Sequence, residues 1–362
     1  MTRSVTIEVK RDSITESRIL ESEVPSPQAG QVVVAIDKFA LTANNVTYAV
    51  AGDMVGYWQF YPSEDPWGTV PVWGIGEVLE SQHDGVAVGE RLYGFFPMAS
   101  HALLTLDADG ARQYREVSDH RKDLPPVYNN YVRTATDPEF LQSMEDERCI
   151  YFPLFMTSYL IYDFLVDNGL FDAGQVVIGS ASSKTAFGLA GLLHGDPEVD
   201  ARVVGLTSTG NRAFVEGLGY YDQVVSYGDE NELDAHTRAV YVDMSGNGAL
   251  TAKVHGLLQD RLAYSCAVGA THWESFGSAG ELPGPEPEFF FAPAQIEKRE
   301  QEWGRGVIMS RAGEAVAGLV QAVSGGVEIQ RLSDPEVASS TWTDLVENRV
   351  PPSRGLMLSL LP

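Results

Sequence analysis

Two cysteines, Cys149 and Cys266, are all that the 362 residues contain. A paired Cys-x-x-Cys zinc site needs more thiolates than that, and a disulfide framework needs more still. Two distant thiols suit a reducing compartment, so a cytoplasmic location is expected. Basic residues are equally scarce: 25 Lys and Arg stand against 50 Asp and Glu, a formal net charge of −25. Such a surface repels phosphate backbones and anionic lipid, which excludes nucleic-acid and membrane-surface partners and leaves solubility as the reading of the charge. Long apolar runs are missing too. The longest, Phe152 to Val166, is interrupted by Ser158 and Asp163 and falls short of the roughly 20 residues of a membrane span. It reads as a buried helix. No charged-then-apolar leader opens the chain, so no signal peptide is expected.

What is present divides in two. Residues 1–150 carry short β-branched runs such as Val32-Val33-Val34-Ala35-Ile36 between Gly and Pro punctuation, the pattern of a barrel or sandwich. From Phe152 onward the pattern alternates. Strands are expected at Val176–Ile178, Arg202–Leu206, Val224–Val225, Val240–Met244 and Leu262–Val268, with Phe289–Ala292 a sixth. Helices are expected at 153–168, Lys184–His194 and Asn211–Leu218. Strand and helix in alternation mean crossover connections and a parallel sheet, an α/β fold. The tail predicts helices near 312–323 and 335–347 and a last strand at 355–361.

The chemistry-bearing stretch begins at Val176. A strand runs into Gly179-Ser180-Ala181-Ser182-Ser183-Lys184-Thr185 and then a helix. Small residues let a backbone approach a diphosphate, and a helix N-terminus offers unpaired N–H groups and a positive dipole end. Ser180, Ser182, Ser183, Lys184 and Thr185 are therefore candidate cofactor contacts, although Ser and Ala stand where G-x-G-x-x-G would have glycine. The same loop reads equally as a serine-capped turn. The glycine positions of a P-loop hold Ile178 and Ser183, which excludes that motif. Dinucleotide folds that take NAD carry an acid about 20 residues beyond the glycines. Here Thr207-Ser208-Thr209-Gly210-Asn211-Arg212 offers donors and a positive charge instead. Thr207, Ser208 and Arg212 thus suit the 2′-phosphate of NADP(H). Ser245, in the turn after the fourth strand, and Gly269, after the fifth, fall on the same rim of strand ends.

Several stretches, in this order, resemble the medium-chain dehydrogenase/reductase superfamily in its quinone oxidoreductase and enoyl reductase branch. They are Leu41-Thr42-Ala43-Asn44-Asn45-Val46-Thr47-Tyr48, Pro71-Val72-Trp73-Gly74-Ile75-Gly76-Glu77-Val78 with Val86-Ala87-Val88-Gly89-Glu90-Arg91-Leu92, Thr157-Ser158-Tyr159, Ala173 to Gly179, and Arg354-Gly355-Leu356-Met357-Leu358. The resemblance implies a GroES-like β-barrel from residues 1–152, completed by 310–362, and a Rossmann doubly wound parallel sheet in 153–309. It also implies NADP(H), a small-molecule substrate and a homodimer. The branch's cofactor loop, G-A-x-G-G-V-G, is replaced here by the serine-rich one, and residues 107–150 are longer and more polar than its norm. No Cys stands near Thr42 and no His precedes Glu77, so the expected chemistry is zinc-independent. Charge developing on a substrate would then be met by hydrogen bonds. Asn44, Tyr48 and Tyr57 are the candidate catalytic groups, with Tyr128 and His120 behind them. The expected reaction is NADPH-dependent reduction of an activated alkene, quinone or carbonyl. The alternative is a non-catalytic NADP(H)-binding sensor or scaffold of the same fold. A serine hydrolase is disfavoured because no G-x-S-x-G elbow is present.

Overall fold

The structure, a computed structural model, describes residues 3–268, 282–323 and 326–361. The chain divides into two compact units, Met1–Ile150 with Val327–Pro362, and Tyr151–Gly326.

In the first unit six strands close on themselves. Gln31–Leu41, Pro71–Ser81, Arg91–Pro97, Asn130–Arg133, Gln113–Glu116 and His101–Asp109 pair in that order, all antiparallel, and the last returns to Gln31–Leu41. Closure gives every strand two partners and leaves no edge in the ring. The β-branched run Val32, Val33, Val34 and Ile36 is fully buried. Beside the ring, Arg354–Leu358 adds to Gln31–Leu41, and Glu328–Leu332 adds to Arg354–Leu358 in parallel. The stretch 107–150, set apart in sequence by its polarity, supplies two of the six barrel strands. Those strands are four residues each, Gln113–Glu116 and Asn130–Arg133. Strands so short carry too few alternations to show a period of two.

The second unit holds a six-stranded, all-parallel sheet. Its order is Gln223–Ser226, Arg202–Thr207, Gln175–Gly179, Ala239–Asp243, Leu262–Ala267 and Glu288–Phe289. Counted along the chain, this is the 3-2-1-4-5-6 order of the doubly wound dinucleotide fold, whose order reverses beside the first strand. Core residues Val176, Val177 and Ile178 are buried on both faces, as parallel strands covered by helices must be. Helix Glu145–Asp167 begins in the first unit and continues into the second. It is long and apolar enough to cross a membrane, yet it serves as a core helix. Phe155 meets Phe187 of helix Lys184–Gly195 at 5.8 Å, and Asp163 is paired with Arg299 at 2.8 Å.

The chain returns to the first unit at Val327 rather than at 310. Helix Val307–Val323 packs on helix Lys184–Gly195 through a stripe that includes buried Ala312, Val316 and Val320. That i, i+4, i+8 face commits it to the second unit. The sixth strand is only Glu288–Phe289, and the residues after it form helix Ala292–Trp303.

Candidate functional site

The candidate residues form two groups, one in each unit. In the first unit, helix Ala43–Val50 presents Asn44 and Tyr48 one turn apart, the spacing at which side chains meet. The amide of Asn44 donates to the Tyr48 hydroxyl at 2.6 Å, and the indole N–H of Trp73 donates to the same oxygen at 3.1 Å. Asn45, its neighbour in sequence, has a structural task. Its Oδ1 accepts from the Thr42 N–H at 2.8 Å and its Nδ2 donates to the Pro71 carbonyl at 3.0 Å, which fixes the start of the helix against the barrel.

Tyr57 lies on the short 3-10 turn Tyr57–Gln59. Its ring sits 4.5 Å from that of Tyr48, and its hydroxyl is 3.0 Å from that of Tyr128. Phe60 stacks on Tyr57, Phe95 meets Tyr48 edge-on, and Tyr128 meets both tyrosines edge-on. Burial pushes the phenols of Tyr48 and Tyr57 above their ordinary range, because an apolar surround penalises the phenolate. Both remain protonated donors at neutral pH. His120 is exposed and its ring faces the Phe60 carbonyl at 3.3 Å.

In the second unit the first strand ends at Gly179, beside Asp243 at the end of the fourth. A Cβ on Gly179 would come within 3.0 Å of Tyr241 Oη and 3.3 Å of Asp243 Oδ1, so a side chain at the reversal point would press on both. Ser180 takes the left-handed conformation, φ +52°, where glycine is the ordinary choice. Its N–H donates to the Tyr227 hydroxyl at 3.1 Å. The Ala181 carbonyl accepts from the Tyr221 hydroxyl at 2.9 Å, and Ser182 Oγ accepts from Asn211 Nδ2 at 3.2 Å. The loop is thus tied to the turns after the second and third strands. Ser183 caps helix Lys184–Gly195, accepting from the Ala186 N–H at 3.3 Å. The Thr185 carbonyl accepts from Ser158 at 2.7 Å. Lys184 opens the helix, and burial pushes its ammonium down to about 8.

Thr207 ends the second strand fully buried, and its hydroxyl has no hydrogen-bond partner among the described residues. Ser208 follows on the turn. Arg212 is held at the surface by Glu216, 2.8 Å away. The Ser245 hydroxyl donates to Asp243 Oδ1 at 2.6 Å, and its N–H donates to the same oxygen at 2.8 Å. That residue shapes the turn after the fourth strand. Gly269 lies outside the described residues.

Sequence reasoning missed Trp73, Tyr221, Tyr227 and Asn211. Tyr227 directly follows the third strand, and that adjacency was the one available signal. Among the described residues, no three His, Cys, Asp or Glu side chains converge as metal ligands do.

The group implied by the sheet is a dinucleotide, and the residues present fit it. The loop enters a twelve-residue helix at the strand-order reversal, the second strand ends without an acid, and a buried hydroxyl there awaits a partner.

No curated protein matches the chain by sequence. The chain is similar in fold to CurA from Vibrio vulnificus, crystallised with NADPH, at 15% identity and TM-score 0.61, covering 99% of this chain and 98% of that one. It is similar to the yhdH oxidoreductase from Salmonella enterica in complex with NADP, at 16% identity and TM-score 0.55, covering 99% of both chains. A third such structure is the quinone oxidoreductase from Coxiella burnetii, at 14% identity and TM-score 0.51, again covering 99% of each. These likenesses show the two-domain fold of the medium-chain dehydrogenases and reductases. The family model described as "Protein of unknown function (DUF2855)" matches residues 39–351, so the chain belongs to that family.

Proposed function

We propose that this protein is a zinc-independent, NADPH-dependent oxidoreductase acting on an activated alkene, quinone or carbonyl compound. The observation that carries this reading is the loop Gly179–Thr185, which enters a helix at the reversal point of a 3-2-1-4-5-6 sheet. Structures of similar fold that contain NADPH or NADP support it. Thr207, Ser208 and Arg212 would hold the adenosine 2′-phosphate. Ser180, Ser182, Ser183, Lys184 and Thr185 would hold the diphosphate, and Ser245 and Gly269 would line the rim. When bound, the cofactor supplies hydride. The barrel supplies orientation: Asn44, Tyr48 and Tyr57 present hydroxyl and amide donors in an apolar surround, where such donors act most strongly on a developing negative charge. The same reading carries residues 1–150 with 327–362 as the catalytic domain, residues 151–326 as the cofactor domain, a homodimer, and a cytoplasmic location in keeping with two buried free thiols.

Titration with NADPH and NADH, followed by cofactor fluorescence, tests the reading. NADPH should bind more tightly than NADH. Arg212→Ala should weaken NADPH about 3-fold, the modest effect of an exposed charge, and leave NADH unchanged. Binding of neither nucleotide, or a preference for NADH, would overturn the assignment.

A second expectation concerns protons. Lys184 in the free protein loses its proton as pH rises through about 8. A phosphate beside it favours the charged form and raises that value again. NADPH binding should therefore take up a proton above pH 8, and affinity should fall as pH rises further. Calorimetry at pH 8.5 in two buffers of different ionisation enthalpy measures the uptake. Heats that agree between the buffers would remove Lys184 from the phosphate site.

A further inference from the structure

Several donors of the loop that would hold the diphosphate are already engaged. The Ser180 N–H donates to the Tyr227 hydroxyl at 3.1 Å, the Ala181 N–H to the Leu206 carbonyl at 2.9 Å and the Ser183 N–H to the Ser180 carbonyl at 2.8 Å. In a glycine-rich loop the backbone itself approaches the phosphates. Here a side chain must supply what those N–H groups no longer can, and Ser182 is placed to do so. It is 8% exposed, and its Oγ accepts from Asn211 Nδ2 at 3.2 Å. A hydroxyl carries one proton, and an amide nitrogen can only donate. The bond from Asn211 therefore occupies a lone pair of Ser182 and leaves its proton to be given to an acceptor. A phosphate oxygen, which is charged and accepts, is the matching partner.

Asn211 comes from the other half of the cofactor site. It ends the turn Thr209–Asn211 after the second strand, directly before Arg212, and its N–H donates to the Ser208 carbonyl at 3.0 Å. It also stands where a residue caps helix Arg212–Gly217, a place from which an asparagine side chain ordinarily accepts from the first turn. Asn211 makes no such bond. Its amide reaches instead to a loop 29 residues earlier in the chain. A side chain suited to stabilise its own helix is thus committed to the phosphate loop.

We propose that Asn211 is a positioning residue that couples the two phosphate sites of the dinucleotide. It fixes Ser182 as a donor to the diphosphate, and it does so most firmly when Ser208 and Arg212 hold a 2′-phosphate. This rests on the NADP(H) reading above. A 2′-phosphate orders the turn on which Asn211 sits, so less freedom remains to be lost when Ser182 engages the diphosphate, and cooperativity follows without a change of shape. The preference for NADPH over NADH then has two parts. One is direct contact with the 2′-phosphate. The other is a stronger hold on the diphosphate that both nucleotides carry.

The experiment measures the dissociation constants of NADPH and NADH by cofactor fluorescence in the full-length protein, in Ser182→Ala, in Asn211→Ala and in the double variant. Urea denaturation checks that each one folds. Ser182→Ala should weaken NADPH about 10-fold, in the range of a lost hydrogen bond to a charged group, but NADH only about 3-fold. The difference between the two factors is the coupling. Asn211→Ala should weaken NADPH about 3-fold and leave NADH nearly unchanged. On that background Ser182→Ala should weaken both nucleotides by the same factor of about 3, because the coupled pair is already broken. A merely structural role for Asn211 would weaken both nucleotides alike. A direct contact between Asn211 and the 2′-phosphate would spare NADH, but it would leave the two Ser182→Ala factors equal. Equal factors for NADPH and NADH in Ser182→Ala, or a Ser182→Ala effect on NADPH that the loss of Asn211 does not change, would overturn the coupling and leave the NADP(H) assignment standing. Binding of neither nucleotide by the wild-type protein would instead end the cofactor reading, and this inference with it.

Discussion

Arg121→Ala should lower the stability of the barrel unit by about 3–5 kcal/mol, the cost of breaking a buried ion pair by removing one partner. The Arg121 side chain is 2% exposed and faces Glu116, equally buried, at 3.3 Å. Its guanidinium lies over the rings of Tyr61 at 4.5 Å and Phe60 at 5.4 Å, and reaches the Tyr131 hydroxyl at 3.4 Å. Without it, the buried Glu116 carboxylate keeps the bonds it accepts from the Thr105 and Ser118 N–H groups and the Ser118 hydroxyl, but loses its cation. The Arg121 carbonyl also accepts from Asn129, one residue beyond Tyr128, so the loop that carries Tyr128 is moored by the same residue. Urea denaturation measures the loss. The double variant Arg121→Met with Glu116→Leu should recover most of it, because well-packed apolar residues often equal a buried pair. A single-variant loss below about 1 kcal/mol, the range of surface pairs, would mean that the pair is not buried as described.

Gly188→Val should cost about 3 kcal/mol in the second unit, at the upper end of ordinary overpacking. A Cβ there would lie 2.5 Å from Phe155 Cδ1 and 2.7 Å from Ser158 Oγ. Both neighbours are fully buried, so neither can swing away. Even Gly188→Ala should destabilise, against the roughly 1 kcal/mol that helix propensity gives alanine over glycine. That reversal of sign is the sharper test. Displacing helix Lys184–Gly195 also moves Ser183, Lys184 and Thr185, so NADPH affinity should fall with stability. A Gly188→Ala variant more stable than the parent would contradict the packing of the two helices.

Much of the parallel sheet was legible because its strands are short apolar runs, three of which end on Gly179, Thr207 and Ser226. Runs such as Val176-Val177-Ile178 are hydrophobic on both faces, and only a covered parallel sheet asks for that. The barrel was legible as many short strands, but its closure was not. The return of His101–Asp109 to Gln31–Leu41 joins residues far apart in sequence, and no local pattern encodes such a pairing. Residues 107–150 stood out in sequence only as longer and more polar than the branch's norm, because the two strands they hold are too short to show a period. The tail was divided at the wrong place for a related reason. An amphipathic helix such as Val307–Val323 shows which face it will bury, but not which unit will bury it.

The candidate site divides in the same way. Composition and order determined which kinds of residue were available: a serine-rich loop after the first parallel strand, no acid after the second, and asparagine with tyrosines near the start of the chain. Tertiary structure decided their roles. It separated Asn44, which donates to Tyr48, from Asn45, which fixes the helix. It committed Ser245 to Asp243 and Arg212 to Glu216, and it brought Trp73 and Tyr128 to two tyrosines that the sequence could only list. The reason is physical. A hydrogen-bond donor is useful only where its lone pairs and protons are already assigned, and that assignment depends on neighbours from other strands and turns. The sequence by itself determined the chemical inventory and the α/β pattern, while the direction in which each polar group points was decided by the fold.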